Sequence, residues 1–251
     1  MTAIWDVALR KLLRHGGSRF TVDLRFASAA KRVVLFGPSG AGKTMALRMI
    51  AGIVAPDAGR VTVDGRALYD SAQGIRLSPQ DRRLAYVFQD YALFPHLTVR
   101  QNIAFARRRR WRNPPRSVRD DAVQLWIERF HLGAIADHYP DQISGGQRQR
   151  TALARALVID PAALLLDEPF AALDKPLRQR LREELLELQT TLDLPLLLIT
   201  HDDDDVRCLA EQVVQVDAGR VVADQPGTPG DEPGPGQAAS ASFEAANARP
   251  R

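Results

Sequence analysis

Eight residues, Gly37-Pro38-Ser39-Gly40-Ala41-Gly42-Lys43-Thr44, combine a flexible backbone with one ammonium and one hydroxyl. Glycines at this spacing let successive backbone N–H groups turn inward around phosphate oxygens. The loop is expected to feed a helix start, whose partial positive charge adds to the attraction. Lys43 would then reach the β- and γ-phosphates of a nucleotide, and the Thr44 hydroxyl would ligate Mg²⁺. A second grouping, Leu164-Leu165-Leu166-Asp167-Glu168-Pro169, is an apolar run ending in two carboxylates. If that run is a strand of a parallel sheet, its carboxyl end is where such sheets bind ligands. Asp167 is expected near the phosphates, holding Mg²⁺ through water. Glu168 is placed to accept a proton from an attacking water.

The elements that must position these groups follow from the same pattern. Arg32 to Phe36 is a short β-branched apolar run before the glycine loop, and Met45, Leu47, Met49 and Ile50 behind the loop have helical spacing. Gly59 to Gly65 alternates and closes on Asp64-Gly65, a hairpin signal. Leu84–Phe88, Ala162–Leu166 and Leu196–Thr200 read as strands, and Pro176–Leu192 as a helix. The two late strands are continuous apolar runs, as expected of parallel strands buried on both faces. Strands alternating with helices predict an α/β fold on a parallel sheet, and residues 90–157 predict a helical insertion in it. Val213 to Val222 gives two short strand-like pieces. Gln225 to Arg251 is rich in Pro, Gly, Ala and Ser with Phe243 as its one aromatic, and is expected to be disordered.

Composition narrows the function classes. The chain has 251 residues, 45% hydrophobic and 25% charged, with 34 Lys+Arg against 30 Asp+Glu. A net charge of +4 is too mild to argue for a nucleic-acid partner. One cysteine, Cys208, excludes an internal disulfide framework and a cysteine-based metal site. No apolar run approaches the ~20 residues of a membrane helix, and the N-terminal stretch lacks the long apolar core of a secretory signal, so the cytosol is the expected compartment.

Ile143-Ser144-Gly145-Gly146-Gln147 is a third signal. Ser144 is a good N-cap, and the glycines leave backbone N–H groups open to an anion at the start of a helix expected over Gln147–Val158. With it, the chain resembles the nucleotide-binding subunits of ATP-binding-cassette (ABC) transporters. The markers occur in order: the glycine loop at 37–44, Gln89 after a strand, ISGGQ at 143–147, LLLDEP at 164–169, Ala171-Ala172-Leu173-Asp174, and His201 after a strand.

The resemblance covers about residues 20–222. It implies a P-loop nucleoside-triphosphatase core of parallel strands with an antiparallel β subdomain and a helical insertion, forming an ABC ATPase domain over residues 1–224. ATP and Mg²⁺ are the implied cofactors. Gln89 is implied to reach Mg²⁺ or the attacking water, and His201 to contact the γ-phosphate and hold Glu168 in register. Ser144, Gly145, Gly146 and Gln147 would bind the γ-phosphate held by a second copy, giving a head-to-tail homodimer, with Asp174 communicating between the two sites. The implied partners are integral membrane permease subunits and, through them, a solute-binding protein. The implied location is peripheral, on the cytoplasmic face of the inner membrane.

The departures from the family pattern are small: Ile143 stands for the usual Leu, and Ala171 for the usual Ser. The acidic run Asp202–Asp205 after His201 is read as a helix start favoured by the dipole, not as a metal site. Many members stack adenine on an aromatic about 25 residues before the glycine loop; that zone here is Lys11 to His15, flanked by Trp5 and Phe20, and no single residue is singled out. Asp70, Gly74-Ile75, Pro79, Arg82-Arg83 and the stretch Tyr86–Val99 look like the ATPases of molybdate importers; sulfate, polyamine and iron importers share part of this pattern.

Arg107 to Arg112 is the most charged stretch. It is read as a solvated face of the insertion, with a membrane-proximal contact and nucleic acid as the alternatives. A DNA-maintenance ATPase with the same motifs would need long coiled coils between Gln89 and Ser144. Only 54 residues lie between them, without sustained heptads.

Overall fold

In the computed structural model, residues 2–16, 18–108, 113–171 and 173–227 are described. Residues 109–112 of the basic run, Ala172 and residues 228–251 lie outside the described residues.

No strand is assigned from sequence before Arg32, yet two long ones open the chain, β1 (Trp5–His15) and β2 (Ser18–Ser28). They pair antiparallel from Trp5↔Ser28 to His15↔Ser18. Their inward residues alternate with period two: Trp5, Val7 and Leu9 on one strand and Val22, Leu24 and Phe26 on the other are buried. The outward positions mix charged residues, among them Asp6, Arg10, Asp23 and Arg25, with Ala8, Leu12, Thr21 and Ala27. β3 (Arg32–Phe36) follows as expected, then α1 (Lys43–Ala51), and then the hairpin of β4 (Ala58–Val63) and β5 (Arg66–Asp70) with the short β6 (Ile75–Arg76). Asp64 and Gly65 both have positive φ, 48° and 72°, the geometry that matches a two-residue turn to the twist of its strands.

β7 (Leu84–Val87), β8 (Ala163–Asp167) and β9 (Leu196–Thr200) join β3 in a parallel block ordered β3-β9-β8-β7. β10 (Gln212–Asp217) runs parallel beside β3 and turns back into β11 (Arg220–Pro226). One bridge, Arg220↔Asp23, links β11 to β2 and makes a single eleven-stranded sheet. The start of the low-complexity segment therefore needs correction. Gln225 and Pro226 pair with Val213 and Gln212, and Gly227 N–H donates to the Glu211 carbonyl at 2.7 Å. Ladder bonds need only a neighbouring backbone, so an apolar-poor composition does not end a strand whose partner is already in place.

Alternate residues of the parallel strands serve two cores. Val33, Leu35, Leu165, Leu197 and Ile199 face α1 and the antiparallel flank, packed with Trp5, Leu47 and Ile50. Val34, Leu164, Leu166, Leu196 and Leu198 face the helical insertion and α5 (Lys175–Leu192). The insertion carries α2 (Val99–Phe105), α3 (Asp121–Arg129) and α4 (Gly145–Leu157). Each starts on a side-chain cap: Thr98 with Gln101, Asp120, and Ser144 with Gln147. α6 (Asp203–Leu209) lies between β9 and β10.

Arg82 locks α1 to the flank. It is 2% exposed. Its Nη1 donates to the Met49 and Ile50 carbonyls at 2.9 and 2.6 Å, and its Nε donates to the Leu77 carbonyl at 3.2 Å. The buried cation partners the Ile50 carbonyl at the negative end of α1 and shares the Met49 carbonyl with Gly52 N–H. Gly52 is left-handed at φ 80°, and a Cβ there would also come within 2.6 Å of the Arg82 Nε. Arg82→Ala leaves the Ile50 carbonyl without that donor and should lower the unfolding free energy by about 2–4 kcal/mol, read as a lower urea midpoint at unchanged slope.

Candidate functional site

The glycine loop leaves β3 at Phe36 and enters α1 at Lys43. Two of its glycines are required, Gly37 by the backbone against it and Gly42 by its left-handed φ. A Cβ on Gly37 would collide with the Val216 carbonyl of β10. Gly42, the N-cap of α1 at φ 97°, has Phe20 Cε1 and Val22 Cγ2 at 3.3 and 3.2 Å from where its Cβ would be. The turn after β10 clamps the loop from the far side, through a 2.9 Å bond from Gly219 N–H to the Ala41 carbonyl. Lys43 reaches back over the loop and donates to the Gly37 and Pro38 carbonyls at 2.6 and 2.8 Å. Burial lowers its pKa, while the charges of Glu168 and Asp167 push it back up. Its ammonium therefore hangs over the cradle on bonds that a phosphate can replace.

The two carboxylates stand where the parallel sheet delivers them. Asp167 is the last residue of β8 and is 3% exposed. It accepts a 2.9 Å bond from the Thr44 hydroxyl and a 2.8 Å bond from the Tyr86 hydroxyl of β7. Desolvation first, and then the Asp167 charge, raise the Tyr86 pKa, so the phenol stays a donor. Tyr86 was not singled out from sequence as a site residue, because a tyrosine inside a strand reads as ordinary β-propensity. Glu168 sits at φ 47°, unusual for a residue with a side chain. It is fixed there by its N–H donating to the Ile199 carbonyl at 3.0 Å and by its carbonyl accepting from Ala171 at 3.2 Å. This kink turns its carboxylate to His201, whose Nδ1 lies 3.3 Å from Glu168 Oε1.

Three adjoining pockets meet at Gln89: one of about 450 Å³ walled by Ser39, Lys43, Thr44 and Glu168, one that Asp167 lines beside Thr44, and one that His201 lines beside Ser39 and Glu168. A Thr hydroxyl, an Asp carboxylate and the Gln89 amide oxygen are hard oxygen donors that suit Mg²⁺, which keeps several waters and takes few protein ligands. Thr44 and Asp167 already lie within hydrogen-bond reach of each other, so the donor set fits that ion. At the outer end of the cleft stand Leu13 and Phe20, a cross-strand pair of β1 and β2. Of the two aromatics flanking residues 11–15, Trp5 is fully buried in the core.

Ser144, Gly145, Gly146 and Gln147 line no wall of this cleft. Ser144 is exposed and caps α4, with its own amide accepted by the Gln147 side chain at 2.9 Å. Gly145 and Gly146 press against Leu173 and Leu177 beside Asp174, which caps α5 by accepting from Leu177 N–H at 2.9 Å. One chain thus presents two separate groups: the cradle with its carboxylates, and an exposed capped helix start next to Asp174.

The acidic run after His201 does more than start a helix. Asp202 caps α6 and pairs with Arg178 and Arg182 of α5 at 2.5 and 3.2 Å. The buried Asp205 takes Arg182 at 2.5 Å and accepts from the Thr200 hydroxyl at 2.5 Å. The run pins the end of β9, and so His201, against α5. Among the described residues, no group of three or more His, Cys, Asp or Glu side chains is placed to hold a metal ion.

A family model described as "ABC transporter" matches residues 22–171. The chain is 45% identical over 211 residues to the sulfate/thiosulfate import ATP-binding protein CysA of Thermosynechococcus vestitus, covering 84% of this chain and 59% of that one. It is 42% identical over 220 residues to the molybdenum import ATP-binding protein ModC of Rhodospirillum rubrum, covering 86% and 56%. The chain thus spans about three fifths of the length of the curated relatives it matches. Among solved structures, it is similar to a dimeric ATP-binding cassette in a post-hydrolysis state bound to ADP and phosphate. The TM-score is 0.73 at 26% identity, over 88% of this chain and 98% of that one. The cbiO1 protein of Clostridium perfringens, described as part of the transporter complex cbiONQ, gives 0.71 at 26% identity, over 90% and 89%.

Desolvation pushes the Asp202 carboxyl up, but the Asp204 amide, Arg178 and Arg182 together hold it below the usual carboxylate range. A lowered pKa adds stability above about pH 4, which is lost as pH falls through the folded value. Asp202→Asn keeps the helix cap and removes the charge. It should cost about 1 kcal/mol at pH 7, allowing for solvent screening, and the gap to the parent protein should close as pH drops toward 2 in denaturant titrations.

Proposed function

The chain belongs to the ABC transporter family of ATP-binding proteins, and on that premise we propose that it binds and hydrolyses ATP to energise an importer. The observation that carries this reading is the convergence of the Lys43 cradle, the Thr44–Asp167 pair and the Glu168–His201 couple on adjoining pockets that share Gln89. In this reading Lys43 and the loop amides of Gly37–Thr44 hold the β- and γ-phosphates. Mg²⁺, held by Thr44, Gln89 and, through water, Asp167, neutralises phosphate charge when bound. A water attacks the γ-phosphorus: its oxygen forms the new P–O bond, the bond to the bridging oxygen breaks, and ADP leaves with that electron pair. Glu168 takes the water's proton, and His201 keeps Glu168 in register. Tyr86 fixes the carboxylate of Asp167 from the side away from Thr44.

Phe20 is the adenine platform in this reading. It is the aromatic side chain at the cleft's outer end, packed against Gly42. Ser144, Gly145, Gly146 and Gln147 act on the nucleotide of a second copy, and Asp174 links the two sites. The similarity to dimeric cassettes supports that arrangement. The assembly works with membrane permease subunits and a solute-binding protein, peripherally on the cytoplasmic face of the inner membrane; no nucleic acid takes part. We take residues 1–227 as the catalytic unit.

For the solute we propose molybdate. The stretch Tyr86–Val99 and relatives named for molybdenum import favour it. Sulfate is the second reading, favoured by the relatives named for sulfate and thiosulfate import. Both are tetrahedral dianions, so a binding protein and permease shaped for one differ little in charge from those for the other.

Glu168→Gln should bind ATP, lose at least about 100-fold in turnover and accumulate a closed dimer on gel filtration with MgATP. Phe20→Ala should raise the KM for ATP about ten-fold or more with kcat within two-fold, because stacking is worth roughly 1–3 kcal/mol per base. Reconstitution with the permease, comparing molybdate- and sulfate-loaded binding proteins as stimulators of hydrolysis, decides the solute.

A further inference from the structure

The segment after β7 is held in an unusual shape by a residue far along the chain. Tyr91 and Ala92 both have positive φ, 62° and 43°, two consecutive non-glycine residues in the left-handed region. Such a pair is strained and persists only where the surroundings impose it. The imposing group is Arg155, in the last turn of α4. Its Nη2 donates to the Tyr91 carbonyl at 2.6 Å and its Nη1 to the Ala92 carbonyl at 2.7 Å. The guanidinium also lies 5.7 Å from the centre of the Phe94 ring. Burial pushes its pKa down to about 10, still far above neutral, so it remains a cation. Each end of the segment has its own anchor. Tyr91 N–H donates to the Phe88 carbonyl at 2.9 Å and Tyr91 OH to the Pro169 carbonyl at 3.3 Å, while Asn102 holds Phe94 through both backbone groups. Gln89 and Asp90, between these anchors, show no side-chain bond among the described contacts, so Gln89 is aimed into the cleft by its backbone.

We propose that Arg155 is the positioning residue for Gln89: it latches the left-handed Tyr91–Ala92 pair to α4 and so ties the cleft's Gln89 wall to the helix that Ser144 begins. The latch sits eleven residues from Ser144, roughly 16 Å along the helix. An arginine in the last turn often serves its own helix end; here two of its donors are spent on another loop. A planar fork suits two adjacent carbonyls, which a lysine ammonium cannot span as well. The inference rests on the hydrolytic reading of the cleft.

The test compares Arg155→Lys, Arg155→Met and Arg155→Met with Ala92→Gly for kcat, ATP KM and melting temperature. Glycine holds positive φ without a latch. The expected result is a ten-fold or greater loss of kcat in Arg155→Met with ATP KM within two-fold, an intermediate loss in Arg155→Lys, and at least a three-fold recovery of kcat when Ala92→Gly is added. Parental kcat in Arg155→Met, or equal kcat in the single and double variants, overturns the latch. If Arg155→Met does not fold, Arg155→Lys decides: parental kcat overturns the proposal, and a reduced kcat at unchanged KM supports it. A parent protein without ATPase activity would instead refute the hydrolytic reading, so the two failures are distinguishable.

Discussion

A nucleoside triphosphate carries more negative charge than one strip of backbone can neutralise, and under the proposed function that excess is what the chain is organised to meet. The cradle is possible because Gly37 lies against the Val216 carbonyl and Gly42 beneath Phe20, where no side chain fits. Around it, every other charged participant arrives at the carboxyl end of a parallel strand. β3 ends in the glycine loop, β9 in His201, β8 in Asp167 and Glu168, and β7 just before Gln89. With the order β3-β9-β8-β7 and neighbouring strands roughly 4.8 Å apart, the sheet sets these groups in a row about 14 Å long. The row is a geometric consequence of strand order rather than of any one contact.

The row is then held by ion pairs and hydrogen bonds at its edge. Arg182 and Arg178 tie the Asp202–Asp205 run to α5, which fixes the end of β9. Tyr86 fixes Asp167. Glu168 keeps a backbone conformation that costs free energy, compensated by two ladder-like bonds to its neighbours. The antiparallel flank contributes the outer wall through Leu13 and Phe20, and Arg82 keeps α1 registered on that flank. Stability devices and site geometry are the same bonds seen from opposite sides.

Much of this was legible in the residues. The glycine loop, the apolar runs of β3, β8 and β9, and the Asp64-Gly65 hairpin each carry a local signal strong enough to survive any context. The strands β1 and β2 are hard to read from sequence because their inward alternation, Trp5-Val7-Leu9 and Val22-Leu24-Phe26, is broken by Lys11 on the inward side and blurred by Ala8, Leu12 and Ala27 on the outward face. The proposed base platform is not legible between Trp5, Phe20 and residues 11–15 because it depends on cross-strand register, which places Trp5 in the core and Phe20 opposite Leu13, both lining the pocket. Tyr86, Arg155 and Arg182 act across 60 or more residues, 60 or more residues, and about 20 residues of chain respectively, and no local pattern announces such partners. The expected break at residue 225 fell short because strand pairing ignores side-chain composition.

The cradle and the exposed helix start at Ser144 lie apart on one chain, and in the proposed dimer each copy offers half of two sites. Mixing two inactive variants tests this directly. Lys43→Ala empties one half and Ser144→Glu repels phosphate from the other; each alone should be inactive, while an equimolar mixture should regain ATP hydrolysis through one intact composite site per mixed dimer. If both variants fold, bind each other and remain inactive at every mixing ratio, or if Ser144→Glu alone retains full turnover, the composite site does not exist.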